Sequence, residues 1–253
     1  MNIAIVQNDT KYGDIPYNLT HLESLLSTLK EDTNLIILQE EFSTGFTTNA
    51  SLSEKEYGKT FLWMKNLSQK KNVAVLGTIL IEEEGKFFNR AYFFYPNGEY
   101  ISYDKRNLFI LSEEKDKITK GEKKVIVEYL GWRIAIFICF DLRFPLWMRN
   151  TYSNGEYEYD IALFPSSWAE SRIDVFDTLL KGRAIENLAY VAGVNRIGKD
   201  ETGVKYSGHS QIISYKGETI IRCEDNKEEI LYCQIDRESL KNFRKKFPIG
   251  EIW

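Results

Sequence analysis

A cysteine at the end of an apolar run is where chemistry is easiest to place in this sequence. Ile134-Ala135-Ile136-Phe137-Ile138 leads into Cys139, and Phe140-Asp141-Leu142-Arg143-Phe144-Pro145 follows. The pattern predicts a strand that delivers Cys139 to a sharp turn just before a helix starts. Such a turn gives a nucleophile rigid support, an exposed sulfur and free backbone N–H groups for an oxyanion. An inert buried thiol is the other fate open to a free cysteine here. A nucleophilic cysteine needs a base and a nearby positive charge. Histidine, the usual base, is scarce: His21 falls on a predicted helix and His209 in the loop-like Tyr206-Ser207-Gly208-His209-Ser210. The remaining choices are charges at strand ends, namely Glu40 and Glu41 after the apolar run 35–38, and Lys105 within Tyr103-Asp104-Lys105-Arg106. Taken singly, a charge just past a strand is more often simply solvated.

The elements that must position these residues follow from periodicity. Strands are expected at 2–7, 35–38, 73–81, 87–95 and 99–103, with the Asn-Gly turn of Pro96-Asn97-Gly98 making a hairpin of the last two. Helices are expected at 18–29, with Leu19, Leu22, Leu25, Leu26 and Leu29 on one face, and at 53–70. The second half repeats the style. Strands fall at 125–129, 133–137, 160–164, 189–195, 211–214, 218–222 and 231–235, with a short helix from Pro145 and a longer one at 173–188. Hairpins among the strands do not fit a simple alternating βαβ barrel. They fit two sheets packed face to face with helices outside, a layered α/β sandwich. No linker or low-complexity tract interrupts the chain, so a single domain over 1–253 is expected.

Composition removes several function classes. Of 253 residues, 43% are hydrophobic and 14% aromatic, enough for a large core. A formal charge of -4 with interleaved signs offers no basic face for nucleic acid. The longest apolar runs, such as 134–140, are too short to span a bilayer. The opening MNIAIVQNDT carries no secretory pattern. Cys223 and Cys233 flank the turn Glu224-Asp225-Asn226-Lys227, where a tight hairpin would set Cys223 opposite Glu228, so no disulfide is expected. Free cysteines point to a reducing cytoplasm, and two histidines are too few for a histidine-rich metal site.

Three segments together carry a resemblance. Leu38-Gln39-Glu40-Glu41-Phe42-Ser43-Thr44-Gly45-Phe46, Tyr103-Asp104-Lys105-Arg106 and Cys139-Phe140-Asp141-Leu142-Arg143-Phe144-Pro145 resemble the nitrilase superfamily of carbon–nitrogen hydrolases. The likeness continues through Arg183-Ala184-Ile185-Glu186-Asn187 and Tyr190-Val191-Ala192-Gly193-Val194-Asn195-Arg196-Ile197-Gly198, nearly the whole chain. It implies a four-layer α-β-β-α sandwich and a Glu-Lys-Cys triad of Glu40, Lys105 and Cys139. Gln39 stands where the family has proline, and Glu41 follows directly. Successive extended residues point to opposite sides, so only one glutamate can reach Cys139, and the match selects Glu40. Glu114 matches a second glutamate that contacts the lysine, and the backbone N–H of Phe140 would complete the oxyanion site.

Within the superfamily the chain looks most like omega-amidases, which hydrolyse the terminal amide of 2-oxoglutaramate and 2-oxosuccinamate. Related members often carry histidine two residues after the lysine, where this chain has Asn107. Arg143 either binds a substrate carboxylate or pairs with a nearby acid; Trp168 either walls the pocket or packs in the core. A small-molecule amide as substrate, no metal or organic cofactor, and a homodimer are implied. The rival substrates are deaminated glutathione, an N-carbamoyl amino acid and a nitrile. Remoter readings are a metal-dependent phosphoesterase using Glu40 and His209, and a non-catalytic binding protein.

Overall fold

In the computed structural model, which describes residues 1–252, the chain runs β1 (Asn2–Gln7), α1 (Ile15–Leu25), β2 (Leu35–Ile37), α2 (Lys59–Lys71), β3 (Ala74–Glu83), β4 (Lys86–Phe94) and β5 (Tyr100–Asp104). After α3 (Glu114–Lys117) come β6 (Val125–Tyr129), β7 (Trp132–Ile136), α4 (Pro145–Met148) and the small pair β8 (Tyr152–Ser153) and β9 (Glu156–Tyr157). There follow β10 (Ile161–Ser166), α5 (Ile173–Asn187), β11 (Tyr190–Asn195) and the hairpin β12 (Ile197–Lys199) and β13 (Lys205–Ser207). β14 (Gln211–Ile213), β15 (Thr219–Arg222), β16 (Glu229–Gln234) and α6 (Arg237–Lys246) complete the order. Trp253, the last residue of the expected domain, lies outside the described residues.

Two six-stranded mixed sheets form, ordered β16-β1-β2-β3-β4-β5 and β15-β14-β11-β10-β7-β6. Each has a parallel trio at its centre, β1-β2-β3 and β7-β10-β11, with antiparallel strands outside. Side-chain alternation in the central strands builds the layers, because those strands are buried on both faces. Ile3, Ile5, Leu35, Ile37 and Leu76 enter a core shared with Ile134, Ile136, Ile161 and Leu163 of the second sheet. Their neighbours Ala4, Val6, Ile36 and Val75 point the other way, onto Leu19 and Leu22 of α1 and Phe61 and Met64 of α2. Across the second sheet, α5 lies so close to β11 that a Cβ on Gly193 would stand 2.6 Å from Leu180. The architecture is the four-layer α-β-β-α sandwich.

Three sequence expectations change. The helix expected at 53–70 begins only at Lys59, because Glu54 is held away by its backbone: its N–H donates to Leu80 O (2.9 Å) and its carbonyl accepts from Glu82 N (2.8 Å). The Glu54 carboxylate then accepts from Thr60 N at 2.8 Å, satisfying one of the free donors of the helix start. The first helix starts at Ile15, earlier than expected, where Asp14 accepts from Tyr17 N and Pro16 sits in the first turn. Cys223 and Cys233 do not flank a tight hairpin. β15 belongs to one sheet and β16 to the other, so the turn between them carries the chain across the sandwich. All three cysteines are free. The helix α6 was not expected; its signals were Asp236, which accepts from Glu238 N, and the basic last turn Arg244, Lys245 and Lys246.

Candidate active site

The parallel trios explain why the chemistry collects at one edge. Strands that run the same way end on the same side, and ligands bind beyond the carboxyl ends of such strands. β2 ends at Ile37 and leads to Glu40; β7 ends at Ile136 and leads to Cys139; β5 ends at Asp104, next to Lys105. The two sheets meet here. Glu40 N donates to Ser166 O at the end of β10 (3.4 Å), and Ser167 Oγ donates to Glu40 O (3.3 Å).

Glu40, Lys105, Glu114 and Cys139 are brought together, all buried. Lys105 Nζ lies 2.8 Å from Glu40 Oε1 and 2.9 and 3.0 Å from the two oxygens of Glu114. Asn89, which the sequence reading did not single out, donates to the same oxygens of Glu40 (2.9 Å) and Glu114 (3.4 Å). Its own carbonyl accepts from Lys105 N at 3.0 Å. Its only signal in the sequence is a polar side chain in the middle of an apolar strand. Glu40 Oε2 is buried with no hydrogen-bond partner among the described residues. The Cys139 thiol is near enough for Glu40 and Lys105 each to shift its proton affinity.

Electrostatics follow from burial. Burial pushes the Cys139 thiol well above its ordinary value, and the Glu40 charge adds to the rise while Lys105 opposes it. Burial likewise raises Glu40, with Lys105 pulling it back and Glu114 pushing it up. Burial alone would lower Lys105, but Glu114 and Glu40 together raise it well above the usual range, so it is a fixed ammonium. A neutral thiol, a carboxylate with one idle oxygen and a permanent cation are the groups that general-base thiol chemistry uses.

The turn that carries Cys139 is held from two sides. Cys139 adopts φ 42°, a left-handed conformation that costs a side-chain residue of order 1–3 kcal/mol. Asp141 fixes it: one carboxylate oxygen accepts from Ile138 N (3.0 Å) and Tyr103 Oη (2.7 Å). The other accepts from the backbone N–H and the side-chain amide of Asn107, both at 2.8 Å. Asn107, the departure from the family pattern, thus ties the lysine loop to the cysteine turn. Phe140, whose N–H follows the sulfur, is the second residue of a 3-10 helix, Cys139–Arg143.

Glu41 faces away from this cluster. Its φ of 46° turns the side chain to accept from Thr47 N at 2.6 Å. Burial, then the Glu40 charge, raises its pKa well above that of a free glutamate.

Above the cluster opens a cavity of about 840 Å³, lined by Glu40, Lys105, Cys139, Phe46, Phe109, Phe140, Arg143, Trp168 and Arg172 among others. Among the described residues Arg143 has no acid partner. Its guanidinium lies over the rings of Trp168 (5.4 Å) and Phe140 (5.9 Å). Trp168 both lines the cavity and packs on Phe176, 5.5 Å between ring centroids. His209 is elsewhere, paired with Asp177 at 2.7 Å, so it does not join Glu40 as the phosphoesterase reading needs. Among the described residues no cluster of three or more histidine, cysteine or acidic side chains is fit to hold a metal.

Known proteins resemble this chain along nearly its whole length. The sequence pattern of the carbon-nitrogen hydrolase family matches residues 2–245. The omega-amidase YafV of Yersinia enterocolitica is 34% identical over 98% of this chain and 94% of its own length. A 2-oxoglutaramate amidase of Bacillus subtilis strain 168 is 27% identical over 98% of this chain and 95% of its own. In structure, the chain is similar to the crystal structure of XC1258 from Xanthomonas campestris, a CN-hydrolase superfamily protein with an arsenic adduct in the active site. That match has a TM-score of 0.97 at 33% identity and covers 100% of this chain and 97% of that one.

Proposed function

Because the chain belongs to the carbon–nitrogen hydrolase family and is an amide-hydrolysing enzyme, we propose that it cleaves the terminal carboxamide of a small 2-oxo acid, 2-oxoglutaramate or 2-oxosuccinamate, to the dicarboxylate and ammonia. The observation that carries the mechanism is the buried contact of Lys105 with Glu40, 2.8 Å, beside the Cys139 thiol on the cavity wall.

In this mechanism Cys139 Sγ attacks the amide carbon while Glu40 takes the thiol proton. The oxygen of the tetrahedral intermediate sits between the Lys105 ammonium and the Phe140 N–H; losing one such donor typically costs about 10²–10³ in rate. The intermediate collapses, its C–N bond breaks, and Glu40 hands its proton to the departing ammonia. Glu40 then deprotonates a water that attacks the thioester, and the sulfur leaves and regains its proton. Glu114 holds Lys105 throughout. All chemical roles fall on side chains and backbone, with no cofactor in the sequence of steps.

The finer properties belong to the same proposal. Residues 1–253 act as one catalytic domain. Leu146, 90% exposed on α4 beside the nucleophile turn, suits the face of a homodimer. Three free cysteines suit a reducing cytoplasm, and among the described residues no helix is long and apolar enough to cross a membrane.

The test is ammonia release from 2-oxoglutaramate, 2-oxosuccinamate, glutamine, asparagine and a simple nitrile, with Cys139→Ala in parallel. Fast release from the 2-oxo amides, abolished in the variant, is expected. Activity that survives Cys139→Ala sinks the mechanism. The cavity is roomier than a five-carbon amide needs, which favours one second reading, the same triad acting on a longer amide such as deaminated glutathione.

A further inference from the structure

Asparagine is a poor strand residue, and an apolar side chain would suit the interior of β4 better. Asn89 is buried there, and its side-chain Oδ1 has no hydrogen-bond partner among the described residues. An acceptor left unmet in this way destabilises the fold. Turning the amide over would not help, because Oδ1 would then face two carboxylates.

What the amide gains lies on its nitrogen side. Asn89 Nδ2 is 2.9 Å from Glu40 Oε1 and 3.4 Å from Glu114 Oε1. Lys105 Nζ bonds the same two oxygens at 2.8 and 2.9 Å. The four groups close a ring in which donors and acids alternate. Glu40 Oε1 thus takes two donors, and Oε2 takes none among the described residues. A carboxylate held at one oxygen from two directions turns only by breaking both bonds, so its idle oxygen keeps one heading. The backbone repeats the tie: Lys105 N donates to Asn89 O at 3.0 Å. Base, cation and Glu114 are all referred to one residue of β4.

An amide suits this place because it is uncharged. A second cation would hold Glu40 too firmly ionised to take up a proton, and an aspartate would add a fourth acid to Glu40, Glu41 and Glu114. Asn89 is outside the lining of the cavity, so it acts on the reaction only through Glu40 and Lys105.

We propose that Asn89 is the positioning residue of the general base: its amide holds Glu40 Oε1 beside Lys105, so that Oε2 is the oxygen that takes the Cys139 proton. The proposal rests on Glu40 serving as the base. An amide N–H on a carboxylate favours the ionised form, so Asn89 also offsets part of the rise that burial and Glu114 impose on Glu40. The other titratable groups around Glu40 are Lys105, Glu114, Cys139 and, next in the chain, Glu41; a substitution at Asn89 alters none of them.

The experiment compares the parent with Asn89→Leu and Asn89→Ser in two pH profiles. One is kcat/KM for 2-oxoglutaramate; the other is the rate at which iodoacetamide alkylates Cys139, followed by mass spectrometry, which needs no substrate. Asn89→Leu should move the acid limb of both profiles up by about one pH unit, the worth of one hydrogen bond to a charged group. At the plateau kcat should fall about tenfold while KM stays within about twofold, since the residue touches no substrate. Asn89→Ser, which keeps a short donor, should give intermediate values, and it carries the test where the leucine variant does not fold. A limb that stays in place in a folded variant, or a KM that rises as far as kcat falls, would overturn the assignment, because a merely structural asparagine lowers kcat without moving the limb. An alkylation profile that Glu40→Gln leaves unchanged would sink the base and Asn89 with it. A limb that moves in alkylation, with no ammonia released from any 2-oxo amide, would sink the proposed substrate and leave Asn89 in its role.

Discussion

Three buried carboxyl groups, Glu40, Glu41 and Glu114, share this region with one ammonium, Lys105, and that imbalance governs behaviour at the residue scale. Glu40 must be ionised to act as base, and burial has raised its pKa, so kcat/KM should fall on the acid side at a pH above the ordinary 4.5. In Glu114→Gln a raising charge disappears and Lys105 turns more fully to Glu40. The acid limb, read from a pH–rate profile, should therefore move to lower pH; a limb that stays put would remove Glu40 from the role of base. Glu41 gives a stability signature instead. Its folded pKa lies well above its unfolded value, so the folded state holds the proton more tightly. Stability is then full below the unfolded pKa and is lost as pH rises through the folded one. Glu41→Gln, which keeps the acceptor for Thr47 N and cannot ionise, should have a Tm advantage over the parent that grows as pH is raised from about 5 to 8.

At the element scale the site depends on how closely two loops approach. Gly121 N donates to Lys105 O at 2.9 Å, and a Cβ placed on Gly121 would stand 2.0 Å from the carbonyl oxygen of Asp104. Backbone cannot yield as a flexible side chain does. Gly121→Ala should displace the segment bearing Lys105 and cost about 1–3 kcal/mol in urea unfolding, with activity reduced more than tenfold. Retention of full activity would mean that the Lys105 loop tolerates movement. The Cys139 turn uses the opposite device: its unfavourable φ is retained because Asp141 fixes Ile138, Tyr103 and Asn107 at once.

The whole molecule is closed by the last helix. Asp160, at the start of β10 and buried, accepts from Arg244 Nη1 at 2.8 Å and Arg237 Nε at 3.0 Å of α6, with Arg133 of β7 at 3.8 Å. One carboxylate thus joins the C-terminal helix to the second sheet. Asp160→Ala strands these guanidinium groups around an uncharged site, and removing one partner of a buried pair typically costs about 3–5 kcal/mol. A loss of that size in urea unfolding is expected; a loss under about 1 kcal/mol would show that α6 is held without Asp160, by Leu240 in the core and by Arg244 donating to Leu188 O and Tyr159 O.

The sequence by itself determined the strands of the two parallel trios, since residues buried on both faces read as continuous apolar runs whose ends also mark where Glu40 and Cys139 emerge. Reading the sequence missed α6, although Asp236 and the basic last turn were local signals for it, and misplaced the start of α2, because the bridge from Glu54 to β3 is a long-range contact that local pattern does not contain. The same reason hid Asn89. Nothing near Asn89 in sequence shows that its amide joins Glu40 to Glu114. Which of Glu40 and Glu41 faces Lys105 was decided by a backbone dihedral at Glu41, set where the two sheets meet. Alternation and burial are local properties and can be read along a chain; charge pairing depends on which distant groups folding brings within 3 Å, and only the tertiary structure decides that.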